Sequence, residues 1–299
     1  MTKLKDNVIH EYHLNRHQPD KPQLAILDLD HHIKTNASRI IKPHIHSFYQ
    51  IIWFKKGRGT HFVDFKPCEV VDNTIFLVAQ NQVHYFDGNT AYEGVLIHFN
   101  EAFLLKNESE MEFFLKYNLF NNPYQYPFCR VDRETESVLD EYLALMRREF
   151  EDAEQFGKEQ ILRNCLKSFL IQIQRKKNQS ENLSDGPAGL MGEKRLQLVR
   201  FINFISENYH KGLTVSEYAR LLHMSSRSLS EMTHQLLNKT PSQMIQERII
   251  LEAERMLLYS DLNINQIGYR LGFDDPSYFV KYFRKHTHTA PSEFRKSFS

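Results

Sequence analysis

Residues 263–294 read NINQIGYRLGFDDPSYFVKYFRKHTHTAPSEF, and this stretch decides the fold of the C-terminal part of the chain. Ile264, Ile267 and Leu271 recur at helical spacing, which predicts a helix that buries one face. Gly272 follows at the position where a helix commonly ends in a left-handed backbone conformation. The sequence therefore predicts a short helix that stops at a glycine turn.

A second helix begins directly after this turn. Asp275 followed by Pro276 matches an N-cap with proline at the first helical position. Phe279 and Phe283 lie one turn apart and can pack back onto the first helix. The residues that remain on the outer face are Ser277, Tyr278, Lys281, Tyr282 and Lys285. Two short helices with a polar, basic outer face predict a helix-turn-helix whose second helix can enter a DNA major groove.

The same pattern occurs about fifty residues earlier, in LTVSEYARLLHMSSRSLSEMTHQLL (213–237). The first-helix positions recur at an offset of 49, as Val215, Ala219 and Leu222. Leu229 matches Phe279 at an offset of 50, which predicts one extra residue in the second turn. The chain is therefore expected to contain two helix-turn-helix motifs.

Capping residues support both motifs and a helix between them. Thr214 and Glu217 have the spacing of a capping box, and Ser225 can cap the helix that follows. Thr240 opens a connecting helix that is expected to run to about Tyr259, roughly 25 Å long. A rigid connector of this length can hold two recognition helices near the ~34 Å spacing of successive major-groove faces.

Residues 195–298, including the closing APSEFR (290–295), resemble the DNA-binding domain of the AraC/XylS family of bacterial transcription regulators. The alternative is a purely structural helical bundle. The resemblance implies double-stranded DNA as a partner, contact with RNA polymerase and, most often, activation of transcription.

By the same resemblance, DNA would be read by two sets of side chains. They are Arg227, Ser230, Glu231 and His234 in the first motif, and Pro276, Ser277, Tyr278 and Lys281 in the second. Arg227 suits a guanine, whereas Arg284 and Lys285 suit phosphates. Glu231 can accept from a cytosine amine or serve as an intramolecular partner. Thr233 departs from the aromatic residue usual in the family, so the first motif is expected to be less rigid or to be set at a different angle.

Composition limits the class of protein. The 299 residues carry a net charge of +1, but residues 190–299 hold 15 Lys and Arg against 11 Asp and Glu, as phosphate contact requires. Three cysteines without metal-site spacing favour a reduced cytosol. There is no signal peptide or apolar run of membrane-spanning length, so we expect a cytoplasmic protein with no membrane contact.

The N-terminal part has the pattern of a β-rich domain. After an arm over residues 1–22, short strands are predicted at Gln23–Leu29, Phe48–Phe54, Thr60–Phe65, Thr74–Val78 and Val95–Phe99. Hairpin turns are expected at Gly57-Arg58-Gly59 and at Asp72-Asn73. Close-set strands without helices predict a small barrel or sandwich. HIHSFYQIIWFKKGRGTHFVDF (44–65) and NQVHYF (81–86) resemble the cupin-type effector-binding domain found in many AraC regulators.

Histidines mark the expected interior of this domain. Cupin enzymes hold a metal with an H-x-H pair, a nearby acid and a distant histidine. In this chain His44 and His46 keep the pair and His84 can be the distant histidine. Gln50 stands where the acid would be expected. We expect no metal or other cofactor, with a metal site as the alternative. The candidate effector-pocket residues are His44, His46, Tyr49, Trp53, His61 and His84.

Helical segments are expected to complete the N-terminal domain. One amphipathic helix covers 109–120, and two longer helices have apolar stripes around Leu145 and Ile161, the second ending near Lys176. These two helices either pack on their own barrel or form a homodimer contact. The predicted domains are 23–176, a polar linker over 177–192, and a DNA-binding domain over 193–299. The fold class is two-domain α+β: a cupin-like β-barrel with a helical pair, then an all-α domain with two helix-turn-helix motifs.

The sequence thus predicts a sequence-specific DNA-binding transcription regulator, an activator controlled by a small-molecule effector in the N-terminal barrel, and no enzyme activity. Two alternatives stay open at this point. One is a DNA-binding regulator that needs no effector. The other is a metal-binding cupin enzyme fused to a DNA-binding domain, which Gln50 disfavours.

Overall fold

A computed structural model describes residues 10–15, 23–88, 91–104, 109, 113–151, 156–180 and 190–297. Residue contacts divide the chain into two compact units, one that spans Glu11–Asp185 and one that includes Gly186–Ser299. The arm predicted for 1–22 is described only over 10–15, and most of the predicted linker lies outside the described residues.

The described part of the N-terminal unit contains two five-stranded sheets. The strands are β1 (His10–Tyr12), β2 (Leu24–Asp28), β3 (His44–His46), β4 (Tyr49–Lys56), β5 (Gly59–Val63), β6 (Lys66–Val70), β7 (Thr74–Val78), β8 (His84–Phe86), β9 (Glu93–Phe99) and β10 (Phe128–Arg130). One sheet has the order β1-β3-β8-β5-β6, and the other has the order β10-β7-β4-β9-β2. Over the described residues neither sheet closes on itself, so the unit is an open sandwich rather than a complete barrel.

Apolar side chains from both sheets share one core between them. This core includes Ile52, Phe54, Val63, Val70, Phe76, Val78, Phe86 and Leu96. Alternate residues of a strand point to opposite faces, so β4, β7 and β9 also present a second apolar face on the other side of their sheet. β4 is buried on both faces over its first six residues.

Both predicted hairpin turns are wrong. β4 pairs with β7 and β9, whereas β5 pairs with β6 and β8. Gly57-Arg58-Gly59 and Asp72-Asn73 therefore carry the chain from one sheet to the other. The Gly57 backbone N–H donates to Asp72 Oδ1 at 2.9 Å, which joins the two crossings. Glycine and asparagine mark a turn, but they do not specify which strands pair across it.

Helices flank the sandwich. They are α1 (Leu29–Ile40), α2 (Glu101–Leu104), α3 (Arg133–Glu151) and α4 (Lys158–Ser180), with a π-helical segment at Leu115–Phe120. The sequence did not predict α1, because only Leu29 and Ile40 of its twelve residues are buried and the periodic signal is weak. The predicted helix over 109–120 is described only from residue 113.

The α3–α4 pair packs on the outer face of the β4 sheet. Leu139, Met146, Leu166 and Phe169 are fully buried in one cluster with Trp53 and its strand neighbours. The pair therefore covers its own sheet, which was one of the two roles expected for it. Leu145 and Ile161, predicted in the apolar stripes, are instead 41% and 44% exposed on the opposite side.

The described part of the C-terminal unit is helical. Its helices are α5 (Leu190–Asn208), α6 (Val215–Leu221), α7 (Ser226–Leu237), α8 (Pro241–Tyr259), α9 (Ile264–Arg270), α10 (Pro276–Thr287) and α11 (Pro291–Ser297), with a short 3-10 turn at Tyr209–Lys211. No described helix of the chain combines the length and the apolar character needed to cross a membrane.

Candidate nucleic-acid interface and ligand-binding site

The first helix-turn-helix consists of α6 and α7. Thr214 and Glu217 form the complete capping box at the start of α6. In the turn, His223 adopts a left-handed conformation with φ of 54°. The Met224 N–H donates to the Ala219 carbonyl at 3.0 Å, which closes the end of α6. Ser225 then accepts from the Ser228 N–H and starts α7.

The second motif, α9 and α10, repeats this arrangement. Gly272 occupies the position of His223 and has φ of +88°, and the Phe273 N–H donates to the Gly268 carbonyl at 3.0 Å. A Cβ on Gly272 would lie 2.0 Å from the His210 carbonyl oxygen, so only glycine fits there. Asp275 caps α10 fifty residues after Ser225, which confirms the extra residue predicted in this turn.

Buried side chains anchor the second helix of each motif. Leu229 and Met232 of α7 and Phe279 and Phe283 of α10 are buried. Thr233 is also fully buried, and its hydroxyl donates to the Ser230 carbonyl at 3.2 Å. The local hydrogen bond satisfies the hydroxyl group that replaces an aromatic ring in the first motif.

The predicted DNA-reading residues share the opposite, solvent-facing sides of α7 and α10. Those that the structure exposes are Arg227, Ser230, Glu231, His234, Ser277, Tyr278, Lys281, Arg284 and Lys285, while Pro276 is half-buried at the start of α10. Each helix thus presents a polar face to solvent and an apolar face to the core. This division is what docking into a groove requires.

Two of these residues interact with each other. Arg227 Nε donates to Glu231 Oε1 at 2.9 Å, one helical turn away, and both side chains are well exposed. Of the two roles expected for Glu231, the structure contains the intramolecular one.

Tyr282 of α10 belongs to an aromatic group that was not predicted from the sequence. The Tyr282 ring lies 5.2 Å from Phe273 and 4.6 Å from His286, between centroids. Burial raises the pKa of Tyr282 to about 12, so its hydroxyl remains a hydrogen-bond donor at neutral pH. The signal available in the sequence was the spacing of Tyr278, Tyr282 and His286 at one-turn intervals.

The connecting helix α8 has 19 residues and is therefore about 28 Å long. Thr240 and Gln243 form its capping box. At its far end Arg295 of α11 donates to the carbonyl oxygens of Leu257 and Leu262, at 2.8 and 2.7 Å. The arginine of the APSEFR ending therefore fixes α11 to the end of α8.

The N-terminal unit holds a histidine cluster at one end of the sandwich. Its members are His44 and His46 of β3, His61 of β5, His84 of β8 and His98 of β9. All five are at most 6% exposed. His84 Nε2 lies 3.0 Å from His46 Nδ1, and the His44 and His84 rings are 4.3 Å apart. Tyr12 of β1 packs against His44 and His46.

The six predicted pocket residues do not lie together. His44, His46, His61 and His84 meet in the cluster, but Tyr49 and Trp53 belong to the core between the β4 sheet and the helices. Trp53 lies 6.0 Å from Phe169 of α4. The structure adds His98, whose Nε2 lies 2.8 Å from Gln50 Nε2. Gln50 shows which face of β4 points to the histidines, and the alternation of the strand places Tyr49 on the other.

Burial keeps four of these histidines, His46, His61, His84 and His98, in the neutral form. It lowers the pKa of His61 and of His98 to about 3, and it lowers the pKa of His46 and of His84 well below the usual range. Neighbouring histidines add to the effect, because a second positive charge in the cluster would be repelled. Neutral imidazoles can donate, accept or bind a metal ion.

Two helix-turn-helix motifs in one unit and a β-rich unit with buried histidines in the other are typical of a DNA-binding regulator with a ligand-binding domain. Comparison with known proteins agrees with this class. Residues 27–164 match the family described as AraC-like ligand binding domain, and residues 218–297 match a family described as helix-turn-helix domain. The chain belongs to the AraC family of DNA-binding transcription regulators.

Named relatives cover almost the whole chain. The HTH-type transcriptional activator RhaS of Mannheimia succiniciproducens is 22% identical over 260 residues, which cover 86% of this chain and 90% of that protein. RhaS of Escherichia coli is 23% identical over 274 residues, covering 87% and 93%. Among solved structures, fatty-acid-bound ToxT from Vibrio cholerae is 14% identical with a TM-score of 0.41, covering 91% of this chain and 94% of that one.

Proposed function

We propose that this regulator activates transcription by placing α7 and α10 in successive major-groove faces of its operator. The observation that carries the proposal is the repetition of one helix-turn-helix geometry, including the turn hydrogen bonds, on either side of a rigid connecting helix. Arg227 would contact a base, Lys281 a base or a phosphate, and Arg284 and Lys285 phosphates. The name of the RhaS relatives, which are activators, supports activation and hence contact with RNA polymerase.

The N-terminal unit would control this activity through a small ligand. Its family is described as ligand-binding, and its interior holds buried polar groups rather than a purely apolar core. Ligand binding would shift the population of DNA-competent molecules. A regulator of bacterial DNA acts in the cytoplasm, and this is where we expect the protein.

The exposed side of α3 and α4 would form a homodimer contact. Leu145, Ile161 and Phe156 are large apolar side chains on or between these helices, and they are at least 41% exposed. Exposed apolar side chains that share one surface are typical of protein interfaces.

Selection of bound duplexes from a random library by the full-length protein tests the DNA-reading proposal. We expect a consensus with two recognition elements about one helical turn apart, 10–10.5 base pairs. If the consensus contains only one element, only one motif reads bases. If no duplex is enriched, the proposal is overturned. A reporter gene placed behind the selected site then separates activation from repression.

A further inference from the structure

The connecting helix α8 carries a group of buried charges. Arg248, Glu252 and Arg255 are spaced so that they lie on one stripe of the helix. Glu252 Oε1 accepts from Arg248 Nη2 and from Arg255 Nη1, both at 2.8 Å. Glu252 and Arg255 are each 6% exposed, and the side chain of Arg248 is 19% exposed. One buried carboxylate therefore holds two guanidinium groups.

Arg248 also contacts the 3-10 turn Tyr209–Lys211. Its guanidinium carbon lies 5.5 Å from the centroid of the Tyr209 ring, which is the distance of a cation–π contact. The same ring packs against the apolar cluster that α8 shares with α9 and α10. Burial raises the pKa of Tyr209, and the nearby Glu252 carboxylate adds to this effect, so the ring is a neutral phenol. Arg248 thus connects α8 to the 3-10 turn.

The 3-10 turn in turn supports the second helix-turn-helix. A Cβ on Gly272 would lie 2.0 Å from the His210 carbonyl oxygen, so the backbones of the two turns are in contact. Gly272 lies shortly before Asp275, the N-cap of α10. Because packed interiors transmit displacements, the position of the 3-10 turn determines where α10 begins. A chain of contacts therefore leads from Arg248 through Tyr209 and His210 to the second recognition helix.

The buried charges suit a geometric role better than a stabilising one. Arg248 Nε is buried and has no hydrogen-bond partner among the residues that the structure describes. Arg248 and Arg255 also place two positive charges against the single negative charge of Glu252. Apolar side chains of similar volume are often at least as stable as a buried ion cluster, whereas directional ion pairs can select one packing register. The arrangement is therefore suited to fixing how α8 and the 3-10 turn pack.

We propose that Arg248 is a positioning residue, which holds the 3-10 turn against α8 and thereby sets the spacing of operator elements that α7 and α10 accept. This inference rests on the proposed reading of DNA by both motifs. The two recognition helices are linked binding modules, so their combined affinity depends on whether both can dock at once. A small shift of α10 relative to α7 leaves each reading surface intact but prevents simultaneous docking.

Arg248→Met tests the proposal, because methionine fills the space with a flexible apolar side chain and leaves Glu252 paired with Arg255 alone. Fluorescence anisotropy of full-length protein compares the selected two-element duplex with two other kinds of duplex. In one kind a single element is replaced by unrelated sequence, and in the other a base pair is inserted between the elements. Arg248→Met should lose at least about tenfold affinity for the two-element duplex and stay within about threefold of wild type on single elements. It should also discriminate less than wild type against the inserted base pair.

Two substitutions of Tyr209 separate the ring contact from simple packing. Tyr209→Phe keeps the ring face, so it should retain the affinity and the spacing selectivity of wild type. Tyr209→Leu keeps apolar volume without a ring face, so it should reproduce the losses of Arg248→Met. Arg130→Met is the matched control, because it removes an exposed arginine that pairs with Glu69 in the N-terminal unit, and it should bind every duplex as wild type does. Circular dichroism shows which variants fold, and the two Tyr209 variants decide the question if Arg248→Met does not.

Equal losses of affinity on all duplexes would give Arg248 a general structural role and overturn the proposal. Unchanged affinity and spacing selectivity in Arg248→Met would overturn it as well, and so would a Tyr209→Phe protein as defective as Tyr209→Leu. The wild type distinguishes this inference from the proposed function. If the wild type requires both elements and the variants behave identically, only the positioning role is refuted. If the wild type reads a single element, the two-motif reading fails and the positioning role fails with it.

Discussion

Lys281 lies on the exposed face of α10, one turn after Tyr278. Lys281→Ala should weaken DNA binding, and the salt dependence indicates what Lys281 contacts. If it neutralises a phosphate, the slope of log K against log salt should fall by about one. If it reads a base, one position of the selected site should relax, at a cost of about 1–3 kcal/mol.

Fluorescence anisotropy with the selected duplex at several salt concentrations measures both quantities. Lys66→Ala is the matched control, because Lys66 is an exposed lysine on β6 of the other unit. If Lys281→Ala binds DNA with unchanged affinity and selectivity, α10 is not a recognition helix.

Glu231 accepts a hydrogen bond from Arg227 at 2.9 Å on the exposed side of α7. Glu231→Gln removes a charge that phosphates repel and releases Arg227 for DNA, so we expect tighter binding to both unrelated and selected duplexes. The same anisotropy experiment, run on both duplexes, measures the change. Weaker binding confined to one base pair of the selected site would instead assign Glu231 to cytosine readout.

At the scale of an element, the glycine turn of the second motif should be less tolerant than a neighbouring glycine. Gly212 and Gly272 both have positive φ, but a Cβ at Gly212 would meet nothing within 4 Å, whereas one at Gly272 would meet the His210 carbonyl at 2.0 Å. Gly212→Ala should cost about 1 kcal/mol of unfolding free energy from backbone strain alone. Gly272→Ala should cost clearly more and should weaken DNA binding through displacement of α10.

At the equivalent turn of the first motif the reverse substitution, His223→Gly, can be tested. His223 holds a left-handed conformation that glycine adopts without strain. His223→Gly should therefore be neutral or raise the unfolding free energy by up to about 1 kcal/mol. Thermal unfolding measures the stability of the three variants. Equal losses of stability in Gly212→Ala and Gly272→Ala would contradict the close contact between residue 272 and the His210 carbonyl.

At the scale of the whole molecule, the buried histidines should make the N-terminal unit sensitive to acid. The folded-state pKa of His61 and of His98 is about 3, against 6.5 for an ordinary histidine. Between these values the unfolded chain binds protons that the folded chain does not. The full stability is present above pH 6.5 and is lost as pH falls toward 3, at about 1.4 kcal/mol per pH unit for each such histidine.

Trp53 allows this loss to be measured in the N-terminal unit alone, because it is the only tryptophan of the chain and is buried against α4. Urea unfolding of the EDTA-treated protein is followed by Trp53 fluorescence between pH 7 and 5. The unfolding free energy should decrease as the pH is lowered. His61→Phe should reduce the slope by about one proton. Equal slopes in the two proteins would show that His61 is not buried in its neutral form.

The sequence by itself determined the C-terminal unit almost completely. Helix periodicity, caps at Thr214, Thr240 and Asp275, and the turn at Gly272 all act over a few residues, so they can be read directly along the chain. The comparison of the two repeats even predicted the extra residue in the second turn. The sequence showed that Thr233 departs from the aromatic residue usual in the family. Only the structure showed that a local hydrogen bond satisfies its buried hydroxyl.

Only the tertiary structure decided the arrangement of the N-terminal unit. Strand pairing joins residues far apart in sequence, so turn signals at 57–59 and 72–73 could not show that the chain crosses between sheets there. β4 is buried on both faces, because one face packs on the other sheet and the other face packs on α3 and α4. Its sequence therefore could not show that Tyr49 and Trp53 point away from the histidines, or that Gln50 and His98 join them.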